Sequence, residues 1–535
     1  MLTNFVIIPI LIAVFLYLFP LNKSARFLAV LVQMSLAGFS FWLFDQTKKG
    51  EIFTSIGDYY SVLGIYMRAD LLSAMFVFLT ALFFLVAIVY SFNENHSRLF
   101  WFLIFIWQGA LIGIFLTADL FNVFVLTEVA TVIVAVLIMY NRFKRSMYDG
   151  MIYLAVNVIA IQLYLFGLGY VYKLTGTLDM YLVAERLANY PEKHLMLPYA
   201  ATMTFIALKC ALIPLFGWLP KAHGSSAAPP AVSAILSGLH IKSSIYLFIR
   251  FQEVFETAAS SQFFLVLGIA TGIVGFVMAM AQTDIKLILA YHTVSQVGLI
   301  FTGLSISDKF AYDGSYAYSF LGGMYHMINH ALFKGGLFLS AGVICKIYGT
   351  RDVYGIRGLL KQNPLVGWAT LMSILGIIGA PFFNGSVSKY FMVSEADSFL
   401  NAILILMSLG TIVSFIKYSS MLFGKAVINE EAAKVSRLQE LAIAVMGTLC
   451  FVTGVFGTET IEFLFNISVS VNTGGYIEKI FIFFLSLGAG FVIYSYYVRN
   501  SALLKRIKHF ELGFRAMVFG IGLFFSAVLL FVGLL

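Results

Sequence analysis

The chain has 535 residues, of which 61% are hydrophobic and only 11% charged, and its mean hydropathy is +0.93. Ordinary soluble domains are about 45 to 50% apolar and about 25% charged, so this composition excludes a soluble globular protein. The net charge of +8 does not indicate a nucleic-acid partner, because the Lys and Arg residues are spread over short loops and do not cluster on one face.

Apolar segments of about 18 residues or more recur from Leu2 to Leu535, and each is long enough to cross the hydrocarbon layer of a bilayer. We count about sixteen, which predicts an all-α integral membrane fold of 14 to 16 transmembrane helices. The first, Leu2 to Leu18, lacks a basic leader and is interpreted as a retained helix.

The longest polar stretches are Asp45 to Leu63, Lys173 to Leu197 and Lys425 to Arg437. Each is too short for a separate domain, so we expect no cofactor or metal in this chain.

The positive charges predict how the chain is threaded through the membrane. Alternate threading places about twice as many Lys and Arg residues on one side as on the other, including Lys23, Arg142, Lys221, Lys346 and Lys505. By the positive-inside rule this side is cytoplasmic. We therefore expect a multi-pass protein of the cell membrane with both termini on the outer side.

Two spans are interrupted by proline in a similar way, at Pro214 and at Pro381. Lys242 and Lys417 recur at nearly the same offset, about five helices along the chain, and an odd number of spans inverts the second copy. Discontinuous helices in inverted repeats indicate a polar site near the midplane, although two kinked helices could also resemble each other by chance. The predicted organisation is a three-helix segment at 1–98, half-channel repeats at 99–255 and 256–425, and C-terminal helices at 426–535.

Ionisable residues lie at mid-membrane depth in several spans. The candidate site residues are Glu128, Lys209, Lys242, His326, His330, Lys334 and Lys389. His326, His330 and Lys334 are spaced at i, i+4 and i+8, which places them on one helical face. A charge at the bilayer centre costs about 2.5 to 3.5 kcal/mol, so these groups must be paired, hydrated or partly neutral. Such residues commonly carry ions or protons across the membrane.

Each group also has a structural interpretation. Glu128 and Lys209 could form a static ion pair, or a pair that takes up and releases a proton. His326 and His330 could be helix-packing residues, ligands of a metal or haem, or members of a proton relay. Lys417 could equally be structural, and His292 is assigned at most a supporting role.

Six motifs in a fixed order resemble those of the proton-conducting antiporter-like subunits of Mrp-type sodium/proton antiporters, respiratory complex I and membrane-bound hydrogenases. The motifs are Asp119–Glu128, Lys209–Pro220, Ala228–Lys242, Leu289–Gly298, Asn329–Lys334 and Pro381–Lys389. The resemblance implies a core of fourteen helices with two inverted five-helix repeats. It also implies roles: Glu128 and Lys209 as a coupling pair, Lys242 as a link, the histidines and Lys334 as a relay, and Lys389 as the terminal proton carrier. Relatives carry Lys or Glu at the position of Lys389.

The resemblance implies a proton-translocating subunit of a multisubunit sodium/proton antiporter, surrounded by other membrane subunits and by lipid. The alternative is a pump subunit of a redox-driven complex, a quinone oxidoreductase or a hydrogenase. We expect a transporter subunit and not an enzyme, which would be part of a translocase only if its complex is redox-driven. Protons are the transported ions in either case, and Na⁺ is the exchanged cation in the antiporter. The last two spans, Tyr476 to Tyr497 and Phe514 to Leu535, follow the fourteen and are interpreted as local packing or partner docking.

Overall fold

The computed structural model describes residues 1–56, 64–224, 228–255, 260–307, 317–425 and 435–533. The predicted polar stretches Asp45–Leu63 and Lys425–Arg437 lie partly outside these residues. The last two residues of the final predicted span, Phe514–Leu535, also lie outside them.

The first half of the chain contains eleven described α-helices and a hairpin. They are α1 Thr3–Leu18, α2 Lys23–Thr47, β1 Ile52–Ile56, β2 Ile65–Ala69, α3 Leu71–Ser91, α4 Arg98–Leu116, α5 Leu120–Ile138, α6 Lys144–Thr175, α7 Met180–Leu187, α8 Glu192–Lys209, α9 Trp218–Gly224, α10 Pro230–Ile235 and α11 Ile241–Phe255. A π-helical turn at Leu236–His240 joins α10 to α11. The antiparallel hairpin pairs Ile52 with Ala69. Neither the hairpin nor α7 was predicted.

The second half adds twelve described α-helices. They are α12 Ser260–Ala281, α13 Ile285–Ser305, α14 Tyr318–Tyr348, α15 Leu359–Gln362, α16 Pro364–Ile378, α17 Asn384–Val393, α18 Ser398–Ser419, α19 Arg437–Val455, α20 Gly457–Phe465, α21 Thr473–Ile493, α22 Ala502–Ile507 and α23 Phe514–Gly533. Thirteen helical segments in the described ranges are long and apolar enough to cross a membrane. Together with α8 and the shorter apolar helices α1 and α16 they make sixteen. The predicted helical membrane fold is confirmed.

The chain forms two compact units. The first contains residues 1–210, 225–257 and 513–535, and the second contains residues 211–224 and 258–512, so far as they are described. In the first unit, α4 packs on α1, α6 packs on α5 and α8, and α23 also packs on α8. Polar residues cap several helix starts, since the side chains of Asn22, Asp70, Ser97 and Asp119 accept backbone N–H groups there.

In the second unit, α12 and α13 pack closely through glycine residues. A Cβ atom on Gly298 would lie 2.3 Å from the backbone nitrogen of Gly272, so a side chain at this crossing would force the two helices apart. Small residues let membrane helices approach in this way and gain van der Waals contact. The other face of α13 packs on α14, which also contacts α16, α17 and α19. The result is a core centred on α14.

The two spans that the sequence predicts to be interrupted, at Pro214 and at Pro381, are both interrupted. Helix α8 ends at Lys209, and residues 210–217 form turns in which Ala211 has a φ of 54°. Helix α16 ends at Ile378, and the chain turns through Gly379 and Phe382, with φ values of 78° and 68°, before α17 begins. These turns leave backbone carbonyls at the ends of α8 and α16 without helical partners.

An ion pair between a helix-capping aspartate and a buried arginine stabilises the first unit. Asp70 caps α3 with its side chain, and the Arg250 guanidinium of α11 pairs with the same carboxylate. Burial alone would raise the pKa of Asp70, but the charge and hydrogen bond of Arg250 outweigh it and hold that pKa below its ordinary value. We expect Asp70→Ala to lower the free energy of unfolding by about 1.5 to 3 kcal/mol, the range for hydrogen bonds to a charged group, because Arg250 then keeps only its second, more exposed partner Glu253.

Thermal unfolding in detergent measures this effect. The double change Asp70→Leu with Arg250→Met should restore part of the loss, because it removes both charges. Because the folded-state pKa of Asp70 lies below the unfolded value of about 3.9, the stabilisation is present above that pH. It should be lost as the pH falls through the lower, folded-state pKa. Equal stability of Asp70→Ala and the unmodified protein would contradict the assignment.

Candidate functional site

The candidate site in the first unit begins at the ammonium group of Lys209, at the end of α8. Lys209 is only 3% exposed, and its Nζ donates a 2.5 Å hydrogen bond to Oγ1 of Thr131 on α5. The Thr131 hydroxyl in turn donates to the carbonyl of Thr127 at 2.6 Å. The buried charge of Lys209 is therefore held by a neutral hydroxyl.

Glu128 lies one helical turn before Thr131 on α5 and is partly buried. It is near enough for its negative charge to act on Lys209, but among the described residues no direct ion pair joins the two side chains. A static ion pair that holds the two helices together is therefore not what the structure contains. An ammonium bound to a hydroxyl, with a carboxylate nearby, can give up its proton without first breaking a salt bridge.

Three further polar side chains extend from Thr131 and were not predicted. The Tyr153 hydroxyl is hydrogen-bonded to Thr131 and lies 3.4 Å from Nε2 of His240. The indole of Trp107 donates to Nδ1 of the same histidine, also at 3.4 Å. A buried polar chain thus runs from Lys209 through Thr131 and Tyr153 to His240.

Lys242 lies two residues after His240 and is completely buried. Its Nζ donates to the carbonyl of Ser237, which lies in the π-helical turn at Leu236–His240. Such turns are rare and occur frequently at functional sites, because they change the pattern of backbone hydrogen bonds within a helix. Here the turn carries both His240 and the carbonyl that holds Lys242.

In the second unit, His326 joins three helices. Its Nδ1 lies 2.8 Å from Oγ of Ser388 on α17, and its Nε2 lies 2.9 Å from Oε1 of Gln296 on α13. Both ring nitrogens are engaged, so neither is available to ligate a metal or haem in this arrangement. Among the described residues no group of three or more His, Cys, Asp or Glu is placed to hold a metal ion.

His330 and Lys334 follow along the same face of α14, and both are completely buried. The His330 ring packs edge-on against Phe333, with 5.4 Å between the ring centroids. Lys334 Nζ donates to the carbonyl of Leu289 on α13 at 2.6 Å. This lysine is thus held by a backbone dipole.

Lys389 lies on α17, immediately after the break. Its Nζ is 3.2 Å from the carbonyl oxygen of Ile378 and 3.4 Å from that of Ile377, the last residues of α16. The negative end of the α16 dipole therefore faces the ammonium. Ser388, the hydrogen-bond partner of His326, is the preceding residue, so α17 carries both Lys389 and a partner of His326.

His292 lies on α13, close to charged residues of the second unit, although the sequence assigns it at most a supporting role. It is completely buried and packs on Phe415, with 4.7 Å between ring centroids. The charges of Lys334, Lys389 and Lys417 all act on it. No described side chain or backbone group is hydrogen-bonded to either ring nitrogen. The structure thus places a buried imidazole within reach of the charges of two predicted site lysines, Lys334 and Lys389.

Comparison with known proteins identifies the family. Residues 117–416, more than half of the chain, match the family described as NADH:quinone oxidoreductase/Mrp antiporter, TM. The chain belongs to this family. The resemblance predicted from the six motifs is confirmed, and all six lie within the matched residues.

Two relatives in this family are named as subunits of Na(+)/H(+) antiporters. The protein of Alkalihalophilus pseudofirmus is 30% identical over 78% of this chain and 84% of its own length. That of Bacillus subtilis is 27% identical over 77% and 86%. A third relative, named as a subunit of the NADH-quinone oxidoreductase of Desulforudis audaxviator, is 34% identical over 66% of this chain and 72% of its own.

Two solved structures share the fold of this chain. A chain of the Mrp complex from Dietzia sp. superposes with a TM-score of 0.78 at 22% identity, covering 91% of this chain and 99% of that one. A chain of respiratory complex I from Thermus thermophilus gives a TM-score of 0.75 at 20% identity, covering 91% and 100%. At these identities the likeness establishes the fold alone.

Lys417, on α18, is buried against the end of α12. It is 1% exposed, and its Nζ donates to the carbonyls of Ala279, Met280 and Gln282 at 3.1, 2.7 and 2.5 Å. These carbonyls lie at or just after the end of α12, where a positive charge is stabilising. Lys417 therefore occupies the position of a C-terminal cap of α12, which favours the structural interpretation of this residue.

Removing this cap should affect stability more than transport. We expect Lys417→Met to lower the free energy of unfolding by about 1.5 to 3 kcal/mol, the range for hydrogen bonds to a charged group. Thermal unfolding checks this, with the exposed Lys505→Met as the control. A Lys417→Met protein of normal stability that no longer transports protons would instead place Lys417 in the relay.

Proposed function

We propose that this chain is a proton-translocating subunit of a multisubunit monovalent cation (Na⁺)/proton antiporter. The observation that carries the proposal is the environment of Lys209, a buried ammonium held by a threonine hydroxyl with a carboxylate nearby but not paired. Such a group can change its protonation state inside the membrane. The names of the two antiporter relatives support sodium and protons as the exchanged ions.

In this proposal the seven site residues form two half-channels. Glu128 and Lys209, with the chain through Thr131, Tyr153 and His240, carry protons in the first, and Lys242 receives them at its end. His326, His330 and Lys334 carry them in the second, and Lys389 releases them. The predicted inverted repeats and the boundaries at 98, 255 and 425 belong to the same proposal.

The partners and orientation are also proposed. The chain would assemble with other membrane subunits of an antiporter, in the cell membrane, with both termini on the outer side. It would act as a transporter subunit without an enzymatic step of its own.

A second function is supported by specific resemblances. The Desulforudis relative is named for a quinone oxidoreductase, and a chain of a membrane-bound sulfane sulfur reductase superposes with a TM-score of 0.78. This chain could therefore be a pump subunit that is powered by electron transfer in partner subunits.

Purification of the intact assembly distinguishes the antiporter proposal from the redox-driven one. A complex isolated through a tag on this chain should contain small hydrophobic antiporter subunits and no iron. Stoichiometric iron–sulfur or flavin subunits, seen by metal analysis and absorption spectroscopy, would replace the antiporter proposal with the redox-driven one.

A further inference from the structure

Helix α21, which lies outside the residues that match the family, forms part of the surroundings of Lys389. The hydroxyl of Tyr476 on α21 lies 3.0 Å from Oγ of Ser386 on α17 and 3.5 Å from the backbone nitrogen of Phe382 in the break. The Tyr390 hydroxyl accepts from the backbone nitrogen of Asn472, the N-cap of α21, at 3.1 Å. Helix α21 thus contacts both the break and the helix that carries Lys389.

Farther along, α21 packs directly on α18. Gly490 makes this approach possible, because a Cβ atom there would lie 3.0 Å from a methyl carbon of Ile412. Residues of these two helices and of α17 line a cavity, together with Leu299 of α13 and the end of α16. These contacts go beyond the local packing predicted for this span.

The cavity has a volume of about 90 Å³ and reaches Lys389 at one end. Its polar lining consists of Lys389, Ser386, Tyr390, Asn401, Ser408, Lys479 and Ser486. A water needs only about 10 to 15 Å³ of such space and two to four polar partners, so the cavity can hold several waters. Lys389 is partly accessible from it.

Two lysines and no carboxylate face this space among the described lining residues. Lys479 is on α21, about two turns from its start, and its Nζ lies 3.5 Å from Oδ1 of Asn401. Two ammonium groups beside one small cavity repel each other and any further cation. The carbonyl oxygens of Ile377 and Ile378, which could coordinate Na⁺, already face Lys389.

We propose that this cavity is the proton exit of the second half-channel and that Lys479 is its gate. The inference rests on the proposed function, since it requires that Lys389 carries protons. In the exit step the N–H bond of the Lys389 ammonium breaks, a cavity water takes the proton, and a neutral amine remains. The charge of Lys479 favours this release and keeps Na⁺ from taking the place of the proton.

The test uses the whole complex in proteoliposomes, with this chain in a cysteine-free background (C210A, C345A, C450A). We expect Lys479→Cys to reduce proton flux about tenfold. A thiol reagent that carries a quaternary ammonium should restore most of the flux, whereas a neutral methylating thiol reagent should not. Glu478→Cys, at the exposed neighbouring position, is the matched control and should respond to neither reagent.

Lys479→Gln and Lys479→Arg in the unmodified chain provide an independent check if the cysteine variant does not assemble. The first should lose flux about tenfold, and the second should stay within about twofold of the unmodified complex. Normal flux in Lys479→Gln, or equal effects of both thiol reagents, would overturn the gate. Lys389→Leu separates the two proposals, because normal flux in that variant would overturn the proposed function itself.

Discussion

Lys209→Ala should abolish proton transport by the assembled complex. Lys209 provides the ammonium group that is hydrogen-bonded to Thr131, so alanine removes the proposed proton carrier at the start of the buried polar chain. Loss of a positioned proton-transfer group typically costs about 10² to 10⁴-fold in rate, and we expect a decrease of at least about 100-fold. The measurement is proton flux into proteoliposomes, followed by a pH-sensitive dye.

The control for this variant is Lys173→Ala, which removes an exposed lysine at the end of α6 in the same unit. Glu128→Gln should also slow transport, but less than Lys209→Ala, because Glu128 is not bonded directly to the ammonium. Thr131→Val, which keeps the volume of the side chain but removes its hydroxyl, should resemble Glu128→Gln. A Lys209→Ala complex that assembles and transports within about twofold of the unmodified complex would exclude Lys209 from the relay.

Lys389→Leu should produce a loss of similar size, at least about 100-fold, for a different reason. Leucine fills a similar volume but cannot carry a proton from the region of His326 and Ser388 to the cavity. It also leaves the carbonyls of Ile377 and Ile378 without their charged partner. Proton flux is again the measurement, together with the quantity of assembled complex.

Lys361→Leu is the matched control for this second variant, since Lys361 is exposed on α15 in the same unit. Lys389→Glu is informative as well. A carboxylate at this position would face two carbonyl oxygens, so we expect it to restore little flux. Undiminished flux in Lys389→Leu would place the exit of the second half-channel elsewhere.

The location of the charged residues could be predicted from the sequence, but their partners could not. Lys209 and Lys242 are conspicuous because they stand at the middle of long apolar segments. Thr131 could have been found as well, since it lies three residues after Glu128 on the same helix. His240, Ser388 and Gln296 become partners only through contacts between helices that are distant in sequence.

For other features of the structure, the sequence contains a weak signal or no signal at all. The first strand of the hairpin and α7 lie in polar stretches that a search for apolar spans passes over, and the second strand follows directly after such a stretch. The π-helical turn at Leu236–His240 has no sequence signature that distinguishes it from a regular helix. Lys417 and His292 show that depth in the membrane does not determine a role. One caps α12, whereas the other lies among the charges of three lysines.

The central claim is that buried lysines of this chain exchange protons against Na⁺ without electron transfer. The most direct test is to impose a Na⁺ gradient across proteoliposomes that contain the complete assembly, with no electron donor or acceptor present. We predict proton movement opposite to Na⁺ that is lost when Lys209 is replaced by alanine. Proton movement only when a reductant and an acceptor such as a quinone are supplied would contradict the claim.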